Sequence, residues 1–181
     1  PDNASKAGNQ WENIATSPSQ VLPYQRTRIG FAWLLNLPGA PLLYYGDEYG
    51  QWGGADPNNR LMWKKPSSLT SDEQDTLAFV QKLGMARKNV PALRRGDYVS
   101  LFVTENTLIF GRKTSSGSAI VALTRAGSAQ SVTVPDVTTK VGIASGTVLH
   151  DHLGGPNVTV SNGSISLSIP AKGAVVLSQS P

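Results

Sequence analysis

The chain has 181 residues, with 39% hydrophobic and 15% charged content, so it can fold as one domain or parts of two, and wholesale disorder is excluded. The absence of cysteine excludes disulfide scaffolds, thiol catalysis and cysteine-ligated zinc sites. The net charge of +4 comes without a basic run, so we expect no nucleic-acid partner and interpret four basic pairs as solvated: Lys64 and Lys65, Arg87 and Lys88, Arg94 and Arg95, Arg112 and Lys113.

Nothing in the sequence predicts a membrane partner. The best apolar run, residues 29–43, is interrupted by Asn36, Pro38 and Gly39 and is too short to span a bilayer. The chain starts with PDNASKAGNQ, which has neither an initiator Met nor the layout of a signal peptide, and this favours a processed or excised segment. The compartment stays open, with a secreted or periplasmic setting slightly favoured over the cytoplasm.

After a polar start, the sequence predicts a helix, a buried strand and a long loop. Apolar positions in residues 19–37 recur at helical spacing, with Pro23 in the first turn and Pro38 and Gly39 as the stop. Residues 41–45 form a short apolar run between turn signals, which is typical of a strand covered on both faces. The loop at residues 46–68 is long enough to indicate a functional role.

A second helix is predicted from residue 70 onwards. Thr70 with Glu73, or Ser71 with Gln74, supplies a capping box at its start. Pro91 ends it. We expect its buried stripe to consist of Leu77, Val80, Leu83, Met85 and Ala86.

The remainder of the sequence alternates with a period of two, which predicts an antiparallel all-β module. Asn162 and Gly163 lie between two alternating runs and predict a hairpin turn. Many short, evenly spaced strands favour a sandwich or Greek-key arrangement. The predicted strands are residues 97–103, 107–113, 119–124, 131–135, 147–151, 158–161, 164–169 and 174–178.

These elements divide the chain into two regions, residues 1–93 and 94–181, with an α+β fold by content. The first region cannot be a complete domain, because one parallel-type strand between two helices has no sheet partner for its backbone groups. We therefore expect the strand at residues 41–45 to pair with another polypeptide portion or with a swapped copy.

Three motifs carry a family resemblance that covers almost the whole chain. Residues 37–48, LPGAPLLYYGDE, resemble a segment of the form LPG-x-PLIYYGDE, and residues 53–63, GGADPNNRLMW, resemble a GG-x-DP-x-NR-x-M-x loop. Residues 169–177, IPAKGAVVL, resemble an LPA-x-GA-x-VL ending. In this order and spacing the chain resembles the alpha-amylase superfamily, glycoside hydrolase family thirteen. The resemblance implies the final helix–strand–helix units of a TIM (β/α)8 barrel, followed by the antiparallel β-sandwich called domain C.

The resemblance also implies a chemistry. Members of the family act on α-glucosidic bonds with retention, using a nucleophilic carboxylate, a protonated Glu and a third, stabilising Asp. These residues lie on earlier barrel strands, and the Asn-His-Asp segment that carries the last one does not occur here. We therefore assign no catalytic residue to this chain, and we expect it to be part of a glycosidase, inactive without the upstream barrel portion.

What the resemblance leaves to this chain is contact with an α-glucan or α-glucoside substrate. The loop that follows a barrel strand carries polar and aromatic groups towards the cleft, where sugar rings stack on aromatic side chains. A structural role, in turns and loop anchoring, is the alternative for each group. The substrate-binding candidates are Asp56, Arg60, Trp52, Glu48, Asp47 and Tyr45.

We predict no metal and no cofactor. His150 and His152 could share a metal, but a third ligand is not evident, so we favour a structural role for both. The alternative to the glycosidase interpretation is a non-catalytic carbohydrate-binding or structural partner module derived from an amylase.

Overall fold

The computed structural model describes residues 19–53 and 59–180. In this part of the chain the helices are α1 (Leu22–Leu34), α2 (Ser71–Asn89), α3 (Pro91–Arg95) and α4 (Val137–Val141). The strands are β1 (Asp97–Val103), β2 (Thr107–Lys113), β3 (Ser118–Thr124), β4 (Gln130–Val134), β5 (Val148–Asp151), β6 (Val158–Thr159), β7 (Ile165–Ile169) and β8 (Ala174–Ser178). The sequence predicts all eight strands to within about two residues, so the all-β character of the second region is confirmed.

The first helix is shorter than predicted but has the expected signals. Pro23 lies in the first turn of α1, where the missing N–H leaves no bond unmade. The chain leaves the helix at Leu35, and Gly39 then adopts a φ of 97°, which only glycine reaches without strain. The helix ends before Leu37 because the side-chain amide of Asn36 donates to the Ala32 carbonyl oxygen, at 2.7 Å. In a continuing helix that oxygen would accept the backbone N–H four residues later.

The predicted strand at residues 41–45 is wrong for this chain by itself. Residues 41–44 adopt no regular element, and Leu42 is 87% exposed. The physical reason is that a strand needs a hydrogen-bonding neighbour, and no strand of the described residues lies beside this run.

Helix α2 begins with the predicted capping box. The Thr70 hydroxyl accepts from the Glu73 N–H at 3.3 Å, and the Glu73 carboxylate accepts from the Thr70 N–H at 2.9 Å. Within the predicted stripe, Met85 is wrong, because it is 52% exposed, and Leu77 is only half-buried. The buried face follows a spacing of three and four residues instead: Glu73, Thr76, Val80, Leu83 and Ala86.

The strands form a six-stranded sheet in the order β1-β2-β3-β8-β5-β6 and a two-stranded sheet of β4 and β7. Every strand pair is antiparallel. The predicted turn at Asn162 and Gly163 is confirmed: their φ values are 48° and 74°, as a primed hairpin turn requires, and Ser161 and Ser164 exchange backbone hydrogen bonds across it.

The large sheet is the middle of three layers, because β3 and β8 are buried on both faces. One face packs on the small sheet and α4, through a core that includes Ile109, Ile120, Ala122, Val134, Val141, Ile165, Val175 and Leu177. The other face packs on α1, α2 and α3, through a core that includes Phe31, Leu35, Val80, Leu83, Leu93, Phe110, Val121 and Val176. The helical part therefore shares a continuous apolar core with the β module.

Candidate functional site

The loop after residue 45 is built on a tight turn, Asp47–Tyr49, enclosed by two left-handed glycines. Gly46 and Gly50 have φ values of 89° and 74°. Asp47 accepts a hydrogen bond from the Tyr44 N–H at 3.1 Å, and Glu48 accepts one from the Gly46 N–H at 2.7 Å. Both carboxylates therefore hold the backbone of the turn.

A buried tyrosine ties the two ends of the loop together. Tyr49 is 1% exposed, and its hydroxyl accepts from the Lys64 N–H at 3.0 Å and donates to the side-chain oxygen of Gln51. The Gln51 amide donates in turn to the Leu61 carbonyl oxygen at 2.8 Å. These hydrogen bonds join the start of the loop, at residues 49 and 51, to its end, at residues 61 and 64.

Glu48 has a further structural contact. Its second carboxylate oxygen accepts from the indole N–H of Trp63 at 2.8 Å, and that ring meets Tyr49 edge to face with centroids 6.4 Å apart. Both carboxylate oxygens of Glu48 therefore accept hydrogen bonds from groups within the loop, and these contacts stabilise the loop.

Three of the remaining candidates line one cleft, which we call the aromatic cleft. It has a volume of about 210 Å³ and is lined by Tyr44, Tyr45, Asp47, Gln51, Trp52, Gly53 and Asn59. The rings of Tyr44 and Tyr45 lie with centroids 4.5 Å apart at 40° and are 51% and 42% exposed. Three of the predicted residues, Tyr45, Asp47 and Trp52, therefore meet at one place.

Electrostatics connect a fourth candidate to the same cleft. The hydrogen bond with Tyr44 raises the pKa of Tyr45, and the positive charge of Arg60 opposes that rise. Arg60 is exposed and close enough to Tyr45 for its charge to be felt. The remaining candidate, Asp56, lies outside the described residues.

Trp52 lines the aromatic cleft and also a neighbouring cavity of about 330 Å³. That cavity is bounded on its far side by α1, through Tyr24 and Phe31. The indole N–H of Trp52 is buried and has no hydrogen-bond partner among the described residues. The half-buried ring of Trp52 therefore forms part of the wall of both cavities.

The interpretation of the basic pairs as solvated is wrong for three of their members. Arg112 is fully buried and donates to the carbonyl oxygens of Gly96, at 2.7 and 3.0 Å, and of Asn36. Arg87 donates to Leu93 at 2.7 Å. Its other acceptors are the carbonyl oxygens of Leu35, Leu37 and Gly39.

The third member is Lys64, whose ammonium lies 2.6 Å from the buried carboxylate of Glu73 and ties the loop to the start of α2. Sequence analysis missed the anchoring roles of Arg87, Arg112 and Glu73. Only Glu73 carried a signal, its capping-box position. For Arg87 and Arg112, no local sequence pattern predicts that carbonyl oxygens at the ends of helices will accept their hydrogen bonds.

The segment between the two histidines is held by hydrogen bonds within the β module. Asp151, between the two histidines, accepts from the N–H groups of Leu153, Gly155 and Val176 at 2.8 to 3.1 Å. His152 is hydrogen-bonded to Ser178 at 2.7 Å, and burial lowers the pKa of His152. Among residues 19–53 and 59–180 no group of three His, Asp or Glu side chains could hold a metal ion.

None of the described helices has both the length and the apolar character needed to traverse a bilayer.

Comparisons with known proteins agree on one superfamily. The chain is 30% identical over 185 residues to a cyclomaltodextrin glucanotransferase of Klebsiella oxytoca, covering 97% of this chain and 27% of that protein. It is 29% identical to an amylopullulanase of Thermoanaerobacter thermohydrosulfuricus, covering 92% of this chain and 12% of the relative. The chain therefore spans about a quarter or less of the length of these curated relatives. No protein-family model matches it.

Solved structures give the same result for the fold. An Anoxybacillus alpha-amylase superposes with a TM-score of 0.73 at 27% identity, covering 85% of this chain and 32% of the amylase. A layered helical and antiparallel β architecture of this kind is thus shared with the C-terminal part of alpha-amylases. The chain belongs to the alpha-amylase superfamily, glycoside hydrolase family thirteen, as the three sequence motifs predicted.

Proposed function

We propose that this chain forms one wall of the α-glucan-binding cleft in a retaining glycoside hydrolase or glucanotransferase of the alpha-amylase type. The catalytic carboxylates come from outside the chain. The observation that carries the proposal is the aromatic cleft, where two exposed tyrosine rings, an indole and the Asp47 carboxylate converge. Stacking faces beside hydrogen-bonding groups are the chemistry that recognises a pyranose ring.

The same surface supports a missing neighbour. Residues 41–44 form no strand, and Leu42 and Met62 are 87% and 88% exposed. The rings of Trp33 and Trp63 are also half-exposed, and a folded partner would cover apolar area of this kind. A parallel strand placed beside residues 41–44 would satisfy their backbone groups and complete a barrel wall. The partner is the upstream barrel portion of the same enzyme, or the same portion of a swapped copy.

The test is complementation. The chain is combined with the upstream barrel portion, and cleavage of a soluble α-glucan is measured with each part alone and with both together. Activity only in the mixture supports the proposal. A mixture that assembles but acts on no α-glucan or α-glucoside would overturn it.

A matched pair of variants tests the aromatic cleft itself. Tyr45 and Tyr98 are both 42% exposed, but only Tyr45 lines the cleft. We expect Tyr45→Ala to lower kcat/KM of the mixture about tenfold, the equivalent of one lost stacking contact, whereas Tyr98→Ala should change it less than twofold. Equal effects of the two variants would contradict a substrate-contacting role for the cleft.

The second candidate is a non-catalytic carbohydrate-binding module. It is favoured by the observation that this chain forms the aromatic cleft without a partner. It is tested by titrating cyclodextrin or soluble starch against the 181-residue chain, since the helices and the β module share a core and should not be separated. Tight, stoichiometric binding that Tyr45→Ala abolishes would favour this candidate over a wall that works only in the assembled enzyme.

A further inference from the structure

A second cleft differs in chemistry from the aromatic one. It has a volume of about 490 Å³ and lies between α1 and three loops, which follow β1, follow β3 and precede β8. Its lining residues are Arg26, Ile29, Asn106, Arg125 and Lys172, none of which lines the aromatic cleft. We call it the basic cleft, because three of its five lining side chains are cations and none is a carboxylate.

The helix supplies one side of the basic cleft. Arg26 and Ile29 are three residues apart on α1, so they project from the same face. Ile29 packs against the apolar core between helices and sheet, which holds that face in place. Arg26 is exposed and forms no ion pair with any described residue, so its guanidinium donors are available.

The sheet supplies the other side, and its turns are fixed by backbone hydrogen bonds. The Arg125 N–H donates to the Asn106 carbonyl oxygen at 2.9 Å, and the Lys172 N–H donates to the Ala126 carbonyl oxygen at 2.9 Å. The side chain of Arg125 is further aligned by its Nε–H, which donates to the Asn106 side-chain oxygen at 3.0 Å. The backbone that carries Arg125 and Lys172 is therefore held in place by hydrogen bonds.

One carboxylate competes at the rim. Glu105 lies 3.5 Å from an Arg125 nitrogen, but the two side chains are 83% and 65% exposed. An ion pair in such a position contributes little, because water screens it and both side chains lose freedom in forming it. The Glu105 carboxylate therefore leaves the basic cleft with an excess of positive charge.

We propose that the basic cleft binds a compact tetrahedral oxyanion of the phosphate class, as free phosphate or as a phosphate ester. Guanidinium groups match the oxygens of such an anion in paired hydrogen bonds, and an ammonium adds a point charge. Two guanidinium groups, one ammonium and one side-chain amide converge from two different structural layers. A concave surface lined by charges of one sign also concentrates the field that attracts a small counter-ion.

The experiment measures binding by the 181-residue chain, with inorganic phosphate titrated at constant ionic strength and followed by amide chemical shifts. Two variants remove one charge each from the cleft, Arg26→Gln and Lys172→Gly. The second suits the backbone, because Lys172 already has a φ of 47°. The matched control is Lys140→Gln, an exposed cation on α4 that lies outside the cleft.

We expect saturable binding whose dissociation constant rises about fivefold in each cleft variant and is unchanged in the control. Glucose 6-phosphate distinguishes the two sources: tighter binding than inorganic phosphate identifies an ester ligand, and weaker binding identifies the free anion. Shifts that do not saturate, or an equal effect of Lys140→Gln, would show general charge screening only and would overturn the proposal.

Discussion

The strongest stability prediction concerns Arg112, a fully buried guanidinium without a carboxylate partner. Its three hydrogen bonds go to the carbonyl oxygens of Gly96 and Asn36. These groups follow the last turns of α3 and α1, where the helix dipoles place negative partial charge. One side chain on β2 therefore fastens the C-terminal ends of two helices to the sheet.

The magnitude follows from what Arg112→Met leaves behind. Two buried carbonyl oxygens lose their partners, at about 1–3 kcal/mol each, while removing a buried charge returns part of that cost. We expect a net loss of about 3 kcal/mol in the free energy of unfolding, or about 6–12 °C in Tm for a chain of this length. Burial already lowers the pKa of Arg112, which reflects the cost of holding the charge there.

The assay is urea unfolding followed by tryptophan fluorescence, since Trp33 lies on α1 and Trp52 lines a cavity that α1 bounds. The matched control is Arg95→Met, an exposed arginine of α3, for which we expect a change below about 0.5 kcal/mol. If Arg112→Met is as stable as the starting protein, the carbonyl oxygens find other partners and the fastening role is refuted.

Three further predictions concern the helix start, a turn and a half-buried histidine. Glu73→Gln should cost about 2 kcal/mol in urea unfolding, because the buried carboxylate loses its charge towards Lys64; a cost no larger than that of the first-turn control Asp72→Asn would contradict this. Gly163→Ala should lower stability by about 1 kcal/mol, because its φ of 74° strains any side chain, and thermal unfolding that stays unchanged would refute this. His152 has a lowered pKa in the folded state, so the unfolded chain binds its proton first as the pH falls below about 6.5. Stability should therefore drop from that pH downwards, and His152→Gln should flatten the drop in unfolding free energy between pH 7 and 5; an unchanged slope would count against it.

The β module was predictable because its signals are local. Alternation with period two, together with turn residues such as Asn162 and Gly163, determines which faces are buried and where strands end. The capping box at Thr70 and Glu73 was predictable for the same reason, since both partners lie within one turn. Met85 was misassigned because it was grouped with its neighbour Ala86, although at 100° per residue it points away from Val80 and Leu83.

The candidate site was only partly predictable. Tyr45, Asp47 and Trp52 meet in the aromatic cleft, as their place after an apolar run suggested. Glu48 is instead occupied by the backbone of Gly46 and by Trp63, fifteen residues further on. The sequence does not show which of two adjacent carboxylates will face a cleft, because the two left-handed glycines decide the direction of each side chain.

The sequence by itself determined the superfamily, the strand boundaries and the turn chemistry, since each depends on residues close together in the chain. Tertiary structure alone decided that Arg87 and Arg112 are anchors for helix ends and that α1, α2 and α3 cover one face of the sheet. It also decided that residues 41–44 have no strand partner among the described residues. The physical reason is that buried charges are satisfied by carbonyl groups up to 76 residues away in the chain, and no local pattern encodes such partners.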